Sequence, residues 1–400
     1  MVAQVYGGAR EMSFRPSSAG PAAGLALLML LALAAAAASR AEAAGPAACT
    51  QAYEDTCWGT VQVDGKNVHY YSSFPLGAGT VQPRAVLIAV HGFMHDATTT
   101  FNAVASAVQT ANALDSTLIV APLFQVDSSS DPCTTSGVPG PEKGDITWKC
   151  SDWSDGFGAS PSNEGPSAFS VMDQLITMLA KDYPSARTVT VAGFSDGGQM
   201  MQRYAAVAAP TLSAKLRFVV SDPGSWLYFG PERPYPTLNG APASWDQCQP
   251  DGSAPFGPCT LKLLSAADPP SGWTPPAPCT KDTWRSKYDR WKYGPEHRPV
   301  TVKASPDEMR SAYAAADVHV LLAEGDEGQG DGTAYNALDK HCAANMQGDY
   351  RLQRGLGYQL FTRDVLHAKH SFTLVPKCQH KVTCVFTSGQ AQPILIPSED

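Results

Sequence analysis

No Cys-x-x-Cys pair and no Cys/His cluster at metal-ligand spacing occurs in the 400 residues, so a structural zinc site is not expected. No run of Lys or Arg occurs either. With charged residues at 16% and a formal net charge of −8, a broad basic face for nucleic acid or an anionic membrane is excluded. The chain shows no internal repeat. Its longest apolar stretch, Leu25 to Ala38, falls short of the roughly 20 residues that span a bilayer.

That stretch reads as an export signal instead. Arg10 and Arg15 precede it, and Ala41-Glu42-Ala43 offers small residues at the cleavage positions, so residues 1–43 are expected to be removed and 44–400 to form one catalytic domain. A retained anchor is the competing reading, and Met12 is an alternative start. All ten cysteines follow the cleavage point, an even number bound for an oxidising compartment, which makes disulfides the default. Pairing neighbours gives Cys49 with Cys57, Cys133 with Cys150, Cys248 with Cys259 and Cys378 with Cys384, leaving Cys279 for Cys342.

Apolar content of 44% is enough for a large core. Thr60 to Tyr71 alternates around Asp64-Gly65, the signature of a hairpin. Ala85 to Val90 is a continuous apolar run, as a strand covered on both faces requires. Thr117–Val120, Thr188–Ala192, Phe218–Val220, Val318–Leu322 and Ser371–Pro376 are further strand candidates. Between them, Val171, Met172, Leu175, Met178 and Leu179 recur at helical spacing, and Arg351 to Leu366 reads as another helix. Alternating strands and helices predict an α/β fold: a mostly parallel central sheet, helices on both faces, and ligands outside the carboxyl ends of the strands. Residues 127–166 and 224–299 interrupt the alternation and are expected to be insertions over those ends, the second a Pro/Trp-rich cap. Each Trp in them is expected to pack the insertion; exposed Trp there would instead mark a polymer-acting enzyme.

Gly193-Phe194-Ser195-Asp196-Gly197 matches G-x-S-x-G directly after a strand and before a helix-like segment. A tight strand-to-helix turn exposes the serine, and the flanking glycines avoid collisions with neighbouring backbone. His91-Gly92-Phe93 ends a buried strand about a hundred residues earlier, where a loop donating backbone N–H groups to an oxyanion belongs. Phe93 and Asp196 would be the donors, and His91 is expected to orient the loop without acting in catalysis.

With this elbow and loop the chain resembles the α/β-hydrolase superfamily, and within it the secreted esterase, lipase and polyester-depolymerase branches. The resemblance implies a chain order of nucleophile, acid, histidine. Val318 to Asp326 looks like the family's strand followed by a G-x-x-D turn, which nominates Asp326, with Glu327, Asp331 and Asp222 as alternatives. Val375-Pro376-Lys377-Cys378-Gln379-His380 looks like its V-P-x-x-G-H ending, with Gln379 in place of Gly. His380 lies beyond the carboxyl end of the last strand, whereas His367 and His370 precede that strand. The resemblance therefore implies a serine hydrolase acting on carboxylic esters, small or polymeric, through Ser195, His380 and Asp326. No cofactor, metal, nucleic-acid partner or stable membrane anchor is expected. A peptidase or amidase, or a non-catalytic binding protein, is compatible with the same fold.

Overall fold

The computed structural model describes Ser13 and residues 47–397, apart from 78, 80, 128–132, 134–136, 252–253, 265–269, 278, 281 and 284–286. Apart from Ser13, the expected export segment and its cleavage point lie outside the described residues.

Eight strands form the central sheet: β1 (Trp58–Val63), β2 (Lys66–Ser72), β3 (Ala85–Val90), β4 (Thr117–Leu123), β5 (Thr188–Phe194), β6 (Lys215–Ser221), β7 (Asp317–Ala323) and β8 (Ser371–Val375). Their spatial order is β1-β2-β4-β3-β5-β6-β7-β8. β2 pairs antiparallel with both neighbours, and every other pair from β4 to β8 is parallel. The hairpin turns at Asp64 and Gly65, both at positive φ.

The continuous apolar strands are explained by burial on two sides. Along β3, Val86, Ile88 and Val90 point into one core cluster, while Leu87 and Ala89 point into the other. Helix α1 (Ala97–Thr110) covers the second face with Phe101, Val104 and Val108. Helix α2 (Ala168–Asp182) covers the first with Val171, Met172, Leu175, Ile176 and Leu179, a stripe at spacings of one, three and four. The Ser167 hydroxyl caps α2 by accepting from the Ser170 N–H. Helices α3 (Asp196–Tyr204), α4 (Pro306–Ala315) and α5 (Arg351–Asp364) follow on the first face, and the short α6 (Val382–Phe386) lies against α1 on the second. A reversed second strand, this crossover order and helices on both faces define the α/β-hydrolase fold.

The two irregular stretches carry their own small structure. Gln125–Val126 and Thr147–Trp148 form a parallel two-strand bridge. Arg233–Leu238, Ala241–Pro242 and Thr260–Leu264 form a separate antiparallel sheet. The described tryptophans in these stretches turn inward: Trp148, Trp153, Trp226, Trp245 and Trp273 are buried and Trp291 is half-buried. Five disulfides join the neighbour pairs expected, Cys49–Cys57, Cys133–Cys150, Cys248–Cys259, Cys279–Cys342 and Cys378–Cys384. No helix among the described residues is long and apolar enough to cross a membrane.

Candidate active site

β5 delivers Ser195 at its carboxyl end with φ 60° and ψ −116°, a backbone conformation that L residues rarely adopt. The turn closes only because its neighbours lack side chains. A Cβ on Gly197 would run into the carbonyls of Val90 and His91, and one on Gly193 into the backbone of Gly197. α3 begins at Asp196, so its N-terminal dipole end lies under the serine.

The Ser195 Oγ stands 2.8 Å from Nε2 of His380, whose Nδ1 is 2.6 Å from Oδ2 of Asp326. Asp326 is only 2% exposed. A carboxylate at Nδ1 keeps the proton on that nitrogen and leaves Nε2 unprotonated toward the serine. The imidazole pKa is pushed below its usual 6.5 by burial; Arg351 adds to the shift, while the hydrogen bond and charge of Asp326 oppose it. The Phe194 ring lies 4.7 Å from the imidazole, centroid to centroid.

The loops that carry Asp326 and His380 are stitched together. Gly325 N–H donates to Cys378 O at 2.7 Å, His380 N–H to Gly332 O at 3.0 Å, and the Gln379 amide to Asp331 O at 2.8 Å. The positive-φ residue of this turn is Lys377 at 63°, so Gln379 needs no glycine-like conformation. Cys378–Cys384 closes the loop around His380. By contrast, His370 sits at the amino end of β8, bonded to Tyr313 O at 2.9 Å and packed edge-on against the Tyr313 ring.

Among the alternative acids, Asp222 is fully buried and accepts from Ala323 N–H at 2.7 Å and from the Ser221 hydroxyl rather than from His380. Burial and then repulsion from Asp326 hold its carboxyl well above the ordinary range. Asp331 is exposed, and Glu327 is half-buried with its pKa raised by burial.

Phe93 and Asp196 line the same cleft as Ser195, and among the described residues neither backbone N–H donates to a protein acceptor. Two histidines hold this loop. His91 Nε2 accepts from Phe124 N–H at 3.0 Å, which leaves the proton on Nδ1 to donate to Gly92 O at 2.9 Å. Burial, with nearby His95 adding to it, drives the His91 pKa well down, so the ring is neutral. His95 bonds Phe124 O at 2.8 Å, and burial lowers its pKa to about 4. Trp153 stands against both rings.

Besides His95, sequence reasoning missed three members of the site. Arg351, buried at the start of α5, donates to Asp326 Oδ1 at 3.4 Å and to Thr333 O at 2.7 Å. Lys292 and Asp339 form an ion pair at 3.4 Å in the cleft wall. No motif marks these residues, since each acts through a contact far away in sequence. The cleft has a volume of about 690 Å³.

No family model and no curated protein sequence matches this chain. Solved structures similar to it include poly(aspartic acid) hydrolase-1 from Sphingomonas sp. KT-1, at 16% identity over 84% of this chain and 98% of that one, with a TM-score of 0.49. A second is LpqC, a poly(3-hydroxybutyrate) depolymerase from Bordetella parapertussis, at 15% identity over 82% and 86%, with a TM-score of 0.48. A third is a thermostable esterase from Pseudomonas putida ECU1011, at 14% identity over 91% and 85%, with a TM-score of 0.40. These are distant likenesses of fold.

Proposed function

We propose that this chain is a secreted serine hydrolase that cleaves carboxylic esters through an acyl-enzyme. The observation that carries the reading is the unbroken relay Asp326–His380–Ser195, with hydrogen bonds of 2.6 and 2.8 Å across three separate loops at one rim of the sheet. His380 takes the serine proton as Oγ attacks the ester carbonyl, then returns it to the leaving alcohol. Asp326 fixes the imidazole tautomer and stabilises the imidazolium. The Phe93 and Asp196 N–H groups hold the oxyanion, each such donor contributing about 3 kcal/mol in comparable sites. Water activated by His380 releases the acyl group, and no step calls for a metal or organic cofactor. Five disulfides support an oxidising, extracytoplasmic destination.

The test is turnover of matched 4-nitrophenyl esters and 4-nitroanilides by the mature protein and by Ser195→Ala. Ester cleavage that disappears in the variant is expected, with anilides turned over far more slowly. Ester cleavage that survives Ser195→Ala, or faster anilide cleavage, contradicts the proposal.

A further inference from the structure

The chain is acidic overall, with 37 Asp and Glu against 29 Lys and Arg, yet the mouth of its candidate active site is not. Every exposed charged or titratable side chain in the lining is basic: Lys340, His341 and Lys381. The acids of the lining are at least partly buried, and each accepts hydrogen bonds from protein groups. Asp339 holds Lys292, the Tyr293 hydroxyl and His341. Asp196 is buried, accepting from the Ser154 hydroxyl and the Gln199 amide. Asp96 is largely covered at the start of α1, where Gly92 N–H and Thr99 donate to it.

The His341 and Lys340 side chains are held in place. His341 Nδ1 is held 2.7 Å from Asp339 Oδ1, with the side chain 86% exposed. Lys340 lies over the Tyr335 ring at 4.2 Å from its centroid. Lys381 directly follows His380, and its N–H donates to Gln379 O at 2.7 Å. Among the described residues neither lysine pairs with a carboxylate. His341 also lines a second groove of about 440 Å³, where the exposed charges are again basic, Lys287 and Arg290, beside Trp291 and Tyr293. The lining of the first cleft also carries exposed Phe93 and Met94.

We propose that the preferred substrate is an anionic ester, whose apolar part lies toward Phe93 and Met94 and whose anionic group, remote from the scissile bond, is bound by Lys340, His341 and Lys381. Longer anionic chains continue past His341 to Lys287 and Arg290. The proposal rests on the ester-hydrolase reading above and adds to it the charge of the substrate. The mechanism is local complementarity: the ammonium groups of Lys340 and Lys381, at the mouth of a negatively charged protein, concentrate an anion where the nucleophile is and repel a cation.

The experiment compares kcat/KM at low ionic strength for three 4-nitrophenyl esters of matched length: the hexanoate, the adipic acid monoester and 6-(trimethylammonio)hexanoate. The expected order is anion, neutral, cation, with about a threefold step from neutral to anion that shrinks as salt is added. In Lys340→Glu/Lys381→Glu the ratio of anion to neutral falls below one; because a ratio is read, any general loss of activity cancels. A polyacrylate oligomer competes with the neutral ester, and Lys287→Glu/Arg290→Glu weakens that competition several-fold. Equal turnover of the three esters, or a ratio unmoved by charge reversal in a folded variant, overturns this proposal and leaves the hydrolase reading standing. Turnover of none overturns both.

Discussion

Asp326 serves two donors, and replacing it with Asn forces a choice between them. Its Oδ2 accepts from His380 Nδ1 at 2.6 Å, while its Oδ1 accepts from Arg351 at 3.4 Å. Asn is nearly isosteric but has one acceptor and one NH2 group. If the NH2 faced Arg351, a buried guanidinium would meet a donor where it had an acceptor. If it faced His380, Nδ1 would have to accept, moving the imidazole proton to Nε2 and onto the side of Ser195. Hydrogen bonds to charged groups contribute about 1.5–3 kcal/mol against about 1 kcal/mol for neutral ones, so the oxygen turns to Arg351 and the wrong tautomer results. Asp326→Asn therefore lowers kcat/KM by about four orders of magnitude while the protein stays folded. Arg351→Met in the same chain removes the competitor and lets the amide oxygen turn back to His380. That double variant is expected to be roughly ten- to hundredfold more active than Asp326→Asn alone, the rate equivalent of one charge-assisted contact. The assay is the full double-mutant cycle in kcat/KM with 4-nitrophenyl butyrate at pH 8, with thermal melts to separate unfolding from catalysis. Asp326→Asn within tenfold of the parent, or no recovery in a folded double variant, would refute the reasoning.

The pH profile follows from the imidazole. His380 must be neutral to act as base, and burial places its pKa below 6.5, so kcat/KM is full above that pKa and lost as pH falls through it. The acidic limb is expected at a midpoint below 6.5, and Arg351→Met is expected to move it upward; a midpoint above 6.5 in the parent contradicts this. Ser195 holds φ 60° and ψ −116°, a conformation natural only to glycine. Ser195→Gly is thus expected to exceed Ser195→Ala in stability by about 1 kcal/mol in urea titration, although both are inactive. Removing the Cys378–Cys384 disulfide by Ala substitution at both positions is expected to cost about 2 kcal/mol of stability. It also lowers kcat in the still-folded protein, because Cys378 O holds the acid turn through Gly325 N–H.

What was legible in the sequence follows periodicity and local punctuation. Ala85–Val90 reads as a doubly covered strand because its alternate side chains enter two different cores. The turn at Ser195 announces itself through glycines that no larger residue could replace. His380 separates from His370 by strand logic alone, since the two lie at opposite ends of one short strand. Arg351, Lys292 and Asp339 were not legible. Their roles arise from contacts across 25 to 47 positions that depend on how irregular loops fold back, and hydrophobic pattern carries no information about such contacts. The same is true of the small sheet around Arg233–Leu238, whose prolines hide its strands from propensity. His95 escaped notice for a different reason: it lies in a turn, and its bond to Phe124 O is visible only once β4 runs beside β3.

The central claim is that His380 activates Ser195 as a nucleophile at one rim of the sheet. Incubating the mature protein with a fluorophosphonate and mapping the adduct by peptide mass spectrometry tests it most directly. A single adduct on Ser195 is expected, formed at least about a thousandfold more slowly in folded His380→Ala. An unlabelled folded protein, an adduct on another residue, or labelling indifferent to His380 would contradict it.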